Sequence, residues 1–223
     1  PLELRLEIKT IGPKFKINDK ILGIESIKTH IQLRSLINKN FSIENLDIST
    51  KSIRVDDLII FLKTIKNKPE LYVLEKIIKK GFLIADIKLN FDKNGKIKND
   101  FKINEFVKDL NLEFFDKYQV KKLNFIFYFE KNNLNFKNID FTLNSLNFYS
   151  QEFSIKNENE IFKIKGEINN ENLILSTENI ELLINPYLSQ LKAKEIRFNS
   201  KNDFSFKLNK NLEFKDFEFA SKI

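Results

Sequence analysis

The stretch Lys121–Phe148, KKLNFIFYFEKNNLNFKNIDFTLNSLNF, decides how the chain reads. Leu123, Phe125, Phe127 and Phe129 occupy alternate positions, and successive strand side chains point to opposite sides, so the four share one face of a strand. EKNN (130–133) supplies a turn. On the return arm the apolar residues fall at Leu134 and Phe136, then at Ile139, Phe141 and Leu143, then at Leu146 and Phe148. The parity changes twice, which predicts one strand with two β-bulges, and bulges bend and coil a sheet. This hairpin is apolar on one face and carries no reactive constellation, so that face is either an ordinary core or a surface made to hold something.

The same alternation extends outward in both directions. Leu2, Leu4, Leu6 and Ile8 alternate with Glu3, Arg5, Glu7 and Lys9, and further runs follow at Phe15/Ile17, at Ile27, Ile31 and Leu33, and from Phe41/Ile43 to Leu46/Ile48. The slip between Ile43 and Leu46 predicts another bulge. The period then changes. Leu58, Phe61, Leu62 and Ile65 fall at helical spacing behind Asp56 and Asp57, which are placed to cap the first turn. A second helix is predicted with Pro69 at its first position, Leu71, Leu74 and Ile78 on one face, Lys79 and Lys80 in its last turn and Gly81 beyond its end. These two form a helical insert over about 56–80.

Strands resume with FLIADIKLNF, the turn DKNG (92–95) and KIKNDFKINEFVKDLNLEF. After the opening hairpin come EFSIKN, EIFKIKGEI, ENLILST, KEIRFNS, DFSFKLN and LEFKDFEFA, separated by NENE (157–160), NNEN (169–172) and NKN (209–211), which read as turns. ENIELLINPYLSQL interrupts them with a short helix over about 180–191, Asn185 and Pro186 serving as cap and first position. The whole, 1–223, reads as one continuous segment: mainly β, a long twisted antiparallel sheet curled into an open groove, with two or three short helices inserted. The simpler arrangement is a sandwich of two sheets that bury their apolar faces against each other.

The residue types most catalytic motifs require are scarce. The chain has no Cys, which excludes disulfides, thiolate metal sites and cysteine nucleophiles, and its single histidine, His30, excludes a multi-histidine metal site. His30 stands on an alternating strand without partners in reach and reads as structural. Asp56/Asp57, Asp86 with Asp92, and Asp100 with Asp109 each have an ordinary role in a cap, a turn or a solvated face. Five scattered glycines cannot build a phosphate loop. The expectation is a chain with no enzymatic activity, no metal and no cofactor.

A net charge of +7 invites a nucleic-acid reading, but 38 basic residues are interleaved with 31 acidic ones and form no stripe, so no nucleic acid is expected as a partner. Abundant Lys, Asn, Ile and Phe beside absent Trp, Met and Cys match codon bias from AT-rich DNA. The chain starts at Pro1 and contains no Met, which reads as an interior piece of a longer protein. Its longest apolar runs, LIIFL and FIFYF, fall far short of the roughly 20 residues a membrane-spanning helix needs.

In order and pattern, FSIENLDISTKSIRVDDLIIFLKTI (41–65), a helical insert, and GFLIADIKLNFDKNGKIKNDFKINEFVKDLNLEF (81–114), followed by many short strands, resemble the AsmA-like superfamily of bacterial envelope proteins. The strand patterns GKIKNDFKI, FVKDLNL and NLNFKNIDFTL carry the likeness, and Glu105 stands where members of that family often place Gly. The resemblance implies a β-groove lined with apolar side chains in the periplasm of a Gram-negative envelope. It implies inner-membrane anchoring through a helix outside this piece, and a part in phospholipid transport to the outer membrane or in assembly of that membrane. The partners so implied are phospholipid acyl chains, neighbouring segments of the same larger chain and other envelope proteins. The lipid-facing candidates are Leu123, Phe125, Phe127, Phe129, Leu134, Phe136, Phe141, Leu143 and Phe148. Two other readings stand beside it: a structural or protein-interaction β module with a closed core, and a basic surface that binds nucleic acid.

Overall fold

The structure is a computed structural model and describes residues 5–17, 20–33, 37, 43–65, 68–114, 118–183, 194–209 and 213–223. The described residues form one large antiparallel sheet of 13 strands that does not close, with three short helices. The strands are β1 (Arg5–Ile11), β2 (Lys14–Ile17), β3 (Lys20–Gln32), β4 (Ile43–Thr50), β5 (Ile53–Arg54), β6 (Ile78–Asn90), β7 (Lys102–Phe114), β8 (Tyr118–Glu130), β9 (Asn133–Leu143), β10 (Leu146–Glu158), β11 (Ile161–Ser176), β12 (Glu195–Asn209) and β13 (Phe214–Lys222). The helices are α1 (Val55–Ile65), α2 (Pro69–Ile77) and α3 (Thr177–Leu183). The spatial order is β1-β3-β4-β6-β7-β8-β9-β10-β11-β12-β13, with β2 paired to β3 and β5 to β6. All the described strands belong to this sheet, so among the described residues the apolar face has no second sheet against it.

Tight turns fold the chain back on itself. Lys131-Asn132, Asn144-Ser145 and Asn159-Glu160 each place two consecutive residues at positive φ, the conformation of a two-residue turn whose twist matches the flanking strands. At 92–95, Asp92 Oδ1 accepts the Asn94 and Lys96 amides at 2.8 and 2.9 Å, and Gly95 takes a positive φ. The second parity change in the opening stretch is therefore the Asn144-Ser145 turn, and what reads as one twice-bulged strand is β9, a turn and the start of β10. NNEN (169–172), in contrast, is no turn: β11 runs through it with a bulge at Asn172.

The remaining phase slips are bulges. Glu44 is the extra residue where His30 faces Asn45 and Ile31 faces Ile43, as the Ile43/Leu46 slip predicts. Asp109, Lys122, Asn138, Asn172 and Asp216 sit within strands at left-handed φ values of 52, 53, 52, 51 and 52°. A bulge leaves amides outside the ladder, and neighbouring side chains take them up: Asp109 N–H donates to Asn124 Oδ1 (2.8 Å), Lys122 N–H to Asn111 Oδ1 (3.1 Å) and Asn172 N–H to Asn199 Oδ1 (2.6 Å).

The helical insert ends earlier than its sequence suggests. α2 stops at Ile77, and Lys79, Lys80 and Gly81 belong to β6. Gly81 lies at a bulge pressed against β7, where a Cβ would stand 2.7 Å from Leu110 Cδ1, so its role is close approach and not a helix cap. Asp56 and Asp57 lie inside the first turn of α1, with Arg54 paired to Asp56. Ile59 and Phe61 of α1 are buried while Leu62 is exposed. α3 spans 177–183 instead of starting at 180; the predicted cap Asn185 and Pro186, like Leu2, Leu4, Phe41 and the turn residues 210–211, lie outside the described residues.

Two clusters close parts of the apolar face. Leu83, Ala85, Val107 and Leu110 are packed against Val55 and Leu58 of α1, and Leu146, Leu173 and Leu175 against Ile180 of α3. The other face carries cross-strand ion pairs, including Lys28–Glu7 (2.9 Å) and Lys102–Glu130 (2.9 Å). Lys156 and Lys163 both reach Glu158 and hold its carboxyl down to about 2.

Candidate functional site

Cross-strand register assembles the apolar residues into rows that no single strand reveals, because directly opposed residues of antiparallel strands share a face. One row runs Thr10–Ile27–Ile48–Ile87–Ile103–Phe129–Leu134–Ile155–Ile164–Phe206, from β1 to β12. Beside it runs Ala85–Glu105–Phe127–Phe136–Phe153–Gly166–Phe204–Phe219, from β6 to β13. Strand spacing of about 4.8 Å makes a ten-step sheet about 48 Å wide.

Aromatic rings link along the second row. Centroid separations are 5.6 Å for Phe125–Phe136, 5.8 Å for Phe127–Phe136, 5.3 Å for Phe136–Phe153, 6.0 Å for Phe153–Phe204, 6.2 Å for Phe204–Phe206 and 6.4 Å for both Phe206–Phe217 and Phe217–Phe219. These lie within the range of favourable ring contacts. Gly166 makes one link possible: it has no side chain on β11, and a Cβ there would stand 2.8 Å from Phe153 and 3.2 Å from Phe204. Phe153 and Phe204 therefore meet across an intervening strand.

The nine residues singled out from sequence fall into three environments on this face. Leu123 and Phe125 pack against the cluster beneath α1. Phe148 packs against the cluster beneath α3, Phe141 stacks on Phe148 at 5.6 Å, and Leu143 faces Leu146 of that cluster. Phe127, Phe129, Leu134 and Phe136 stand on β8 and β9 in the two long rows, whereas the helices pack chiefly on β3, β5, β6, β7 and β11. The structure adds Phe153, Ile155, Ile164, Phe204, Phe206, Phe217 and Phe219 to the same face. Their alternation is visible in the sequence, but register between strands is needed to place them beside Phe127 and Phe136.

Glu105 is the exception on this face. It is half-buried between Ala85 of β6 and Phe127 of β8, with Ile103 and Val107 flanking it on β7. Every other residue of the two rows is uncharged. Burial pushes its carboxyl up to about 7. The sequence signal was a charged residue at an apolar parity position within KINEFVKDL.

His30 bridges strands near the β1 edge, with Nδ1 2.6 Å from Asn45 Oδ1 and Nε2 3.2 Å from Glu7 Oε2. Among the described residues no cluster of His, Asp and Glu is arranged to hold a metal ion, and no helix is long and apolar enough to cross a membrane. No family model, curated protein or solved structure matches this chain.

Proposed function

We propose that this chain is a passive, non-enzymatic lipid-carrying segment whose apolar rows form the floor of an open groove for phospholipid acyl chains. One observation carries the reading: two adjacent, largely apolar rows span most of the sheet, one from β1 to β12 and the other from β6 to β13, with linked phenylalanine rings and, among the described residues, no second sheet over them. Each exposed methylene costs about 0.8 kcal/mol in water, so acyl chains gain by lying on such a floor while their headgroups remain solvated at the open side. The resemblance to AsmA-like proteins supports placing the segment in the periplasmic part of an inner-membrane-anchored protein that moves phospholipid toward, or helps assemble, the outer membrane.

The edges support a sheet continued by neighbouring segments of a larger chain. β1 and β13 are exposed along their whole length, and Phe214, Phe217 and Phe219 are 68, 65 and 58% exposed. The same bare edges favour the second reading, a protein-interaction module that pairs through its strands.

The deciding experiment incubates the purified chain with phospholipid vesicles, re-isolates it and quantifies bound lipid by mass spectrometry. Wild type should retain phospholipid, and the double variant Phe127→Asp/Phe136→Asp should lose it while keeping a β-type circular dichroism spectrum. Absence of lipid on the wild type, or equal retention by the folded double variant, would overturn the proposal.

A further inference from the structure

We propose that Glu105 is the headgroup contact of the apolar face: its carboxylate takes the primary ammonium of an aminophospholipid whose acyl chains lie along the rows toward β13. This rests on the lipid-carrying reading and adds to it a preference among headgroups. The placement argues for a cationic ligand. A carboxyl set among Ala85, Ile103, Val107 and Phe127 gives up hydration with nothing in exchange, because among the described residues no hydrogen bond or ion pair joins it to another side chain.

Among the described residues no titratable group faces Glu105 from its neighbours. On β6 the adjacent residues of this face are Leu83, Ala85 and Ile87, and on β8 they are Phe125, Phe127 and Phe129. The α1 residues turned toward the adjoining cluster are Val55 and Leu58. The charged groups of α1 are engaged elsewhere, Asp56 and Asp57 with Arg54 and Lys63 with Glu75. A ligand ammonium would thus supply the cation that none of the described side chains brings to this carboxylate.

The surroundings also set the polarity of the ligand. Glu105 lies at the margin of the cluster closed by α1, and on its other side the aromatic row runs uncharged from Phe127 to Phe219. Six inter-strand steps of about 4.8 Å give about 29 Å of apolar floor beyond it, room for an extended acyl chain. A primary ammonium satisfies the carboxylate with charge-assisted hydrogen bonds, which a quaternary ammonium cannot donate, and an anionic headgroup is repelled. Because burial raises this carboxyl toward neutrality, the preference should strengthen with rising pH.

The test presents the whole chain with vesicles of equimolar phosphatidylethanolamine, phosphatidylcholine and phosphatidylglycerol, at about pH 8.5 and about pH 5.5 on either side of the raised value, and measures bound headgroups by mass spectrometry. At the higher pH wild type should carry ethanolamine lipid enriched about fivefold over both others, a discrimination of the size expected for one charge-assisted contact. Enrichment should vanish at the lower pH and in Glu105→Gln at both. Equal headgroup ratios in wild type and Glu105→Gln would overturn the Glu105 contact and leave lipid carriage intact. Choline lipid enriched as strongly as ethanolamine lipid would overturn the primary-ammonium assignment. Failure of wild type to bind any of the three would overturn lipid carriage itself.

Discussion

Gly166 contributes by having nothing to contribute: its empty Cβ position is where the rings of Phe153 and Phe204 close over β11. Gly166→Ala should force at least one ring aside and cost about 1–3 kcal/mol, read as a lower urea midpoint at unchanged slope. Glu105 makes a second prediction at this scale. Its carboxyl ordinarily titrates at 4.5 and is raised to about 7 in the folded chain, so the folded state holds the proton more tightly than the unfolded state. The cost of burying it is absent below about pH 4.5, accrues as pH rises from there to about 7, and is complete above that. After allowance for its partial contact with solvent the cost is about 2 kcal/mol. Glu105→Gln should therefore be more stable than wild type at about pH 8 and no more stable at about pH 4.5, measured by urea denaturation.

At the scale of strands, bulges do the work that regular alternation cannot. They keep the apolar side chains of β8 and β9 on one face through the slips at Lys122 and Asn138. Their stray amides are held by asparagines, so this abundant residue has a structural use beyond turns. Asn124 is the clearest case: Oδ1 accepts from Asp109 N–H at 2.8 Å, and Nδ2 donates to Lys122 O at 2.9 Å and Asp140 Oδ2 at 2.8 Å. Asn124→Ala should cost about 1–3 kcal/mol and speed hydrogen exchange at the Asp109 amide, since that donor loses its partner. In the turn between β9 and β10, Ser145 has φ 71°. Ser145→Gly should stabilise by about 0.5–1 kcal/mol in the same assay, because glycine takes that conformation without steric cost.

Across the whole molecule the open sheet has two consequences. It exposes one broad apolar face, and among the described residues it ends in two unpaired edges, a form that other strands can extend. On β13, Phe217 and Phe219 carry the aromatic file out to the edge. The isolated chain should self-associate through this edge, and Phe217→Lys/Phe219→Lys should shift it toward monomer in sedimentation velocity, with its circular dichroism retained. A wild type that stays monomeric at high concentration would show that the edge is not adhesive.

Period-2 alternation by itself determined that this chain is mainly β, and the switch to helical spacing after Arg54 located the insert, because both are properties of neighbouring residues along one chain. Local pattern could not decide what a parity slip means. The slips at Asn138 and at Asn144-Ser145 look alike in sequence, yet one is a bulge inside β9 and the other a reversal of the chain. Nor could it end α2, since Ile77–Gly81 suits a helix terminus and a strand equally until β7 offers a pairing partner. Tertiary structure alone decided which apolar residues share a row, that no second sheet of described residues lies over them, and that Glu105 stands among them. Those facts depend on register between strands far apart in the chain, and register is set by the joint packing of all of them.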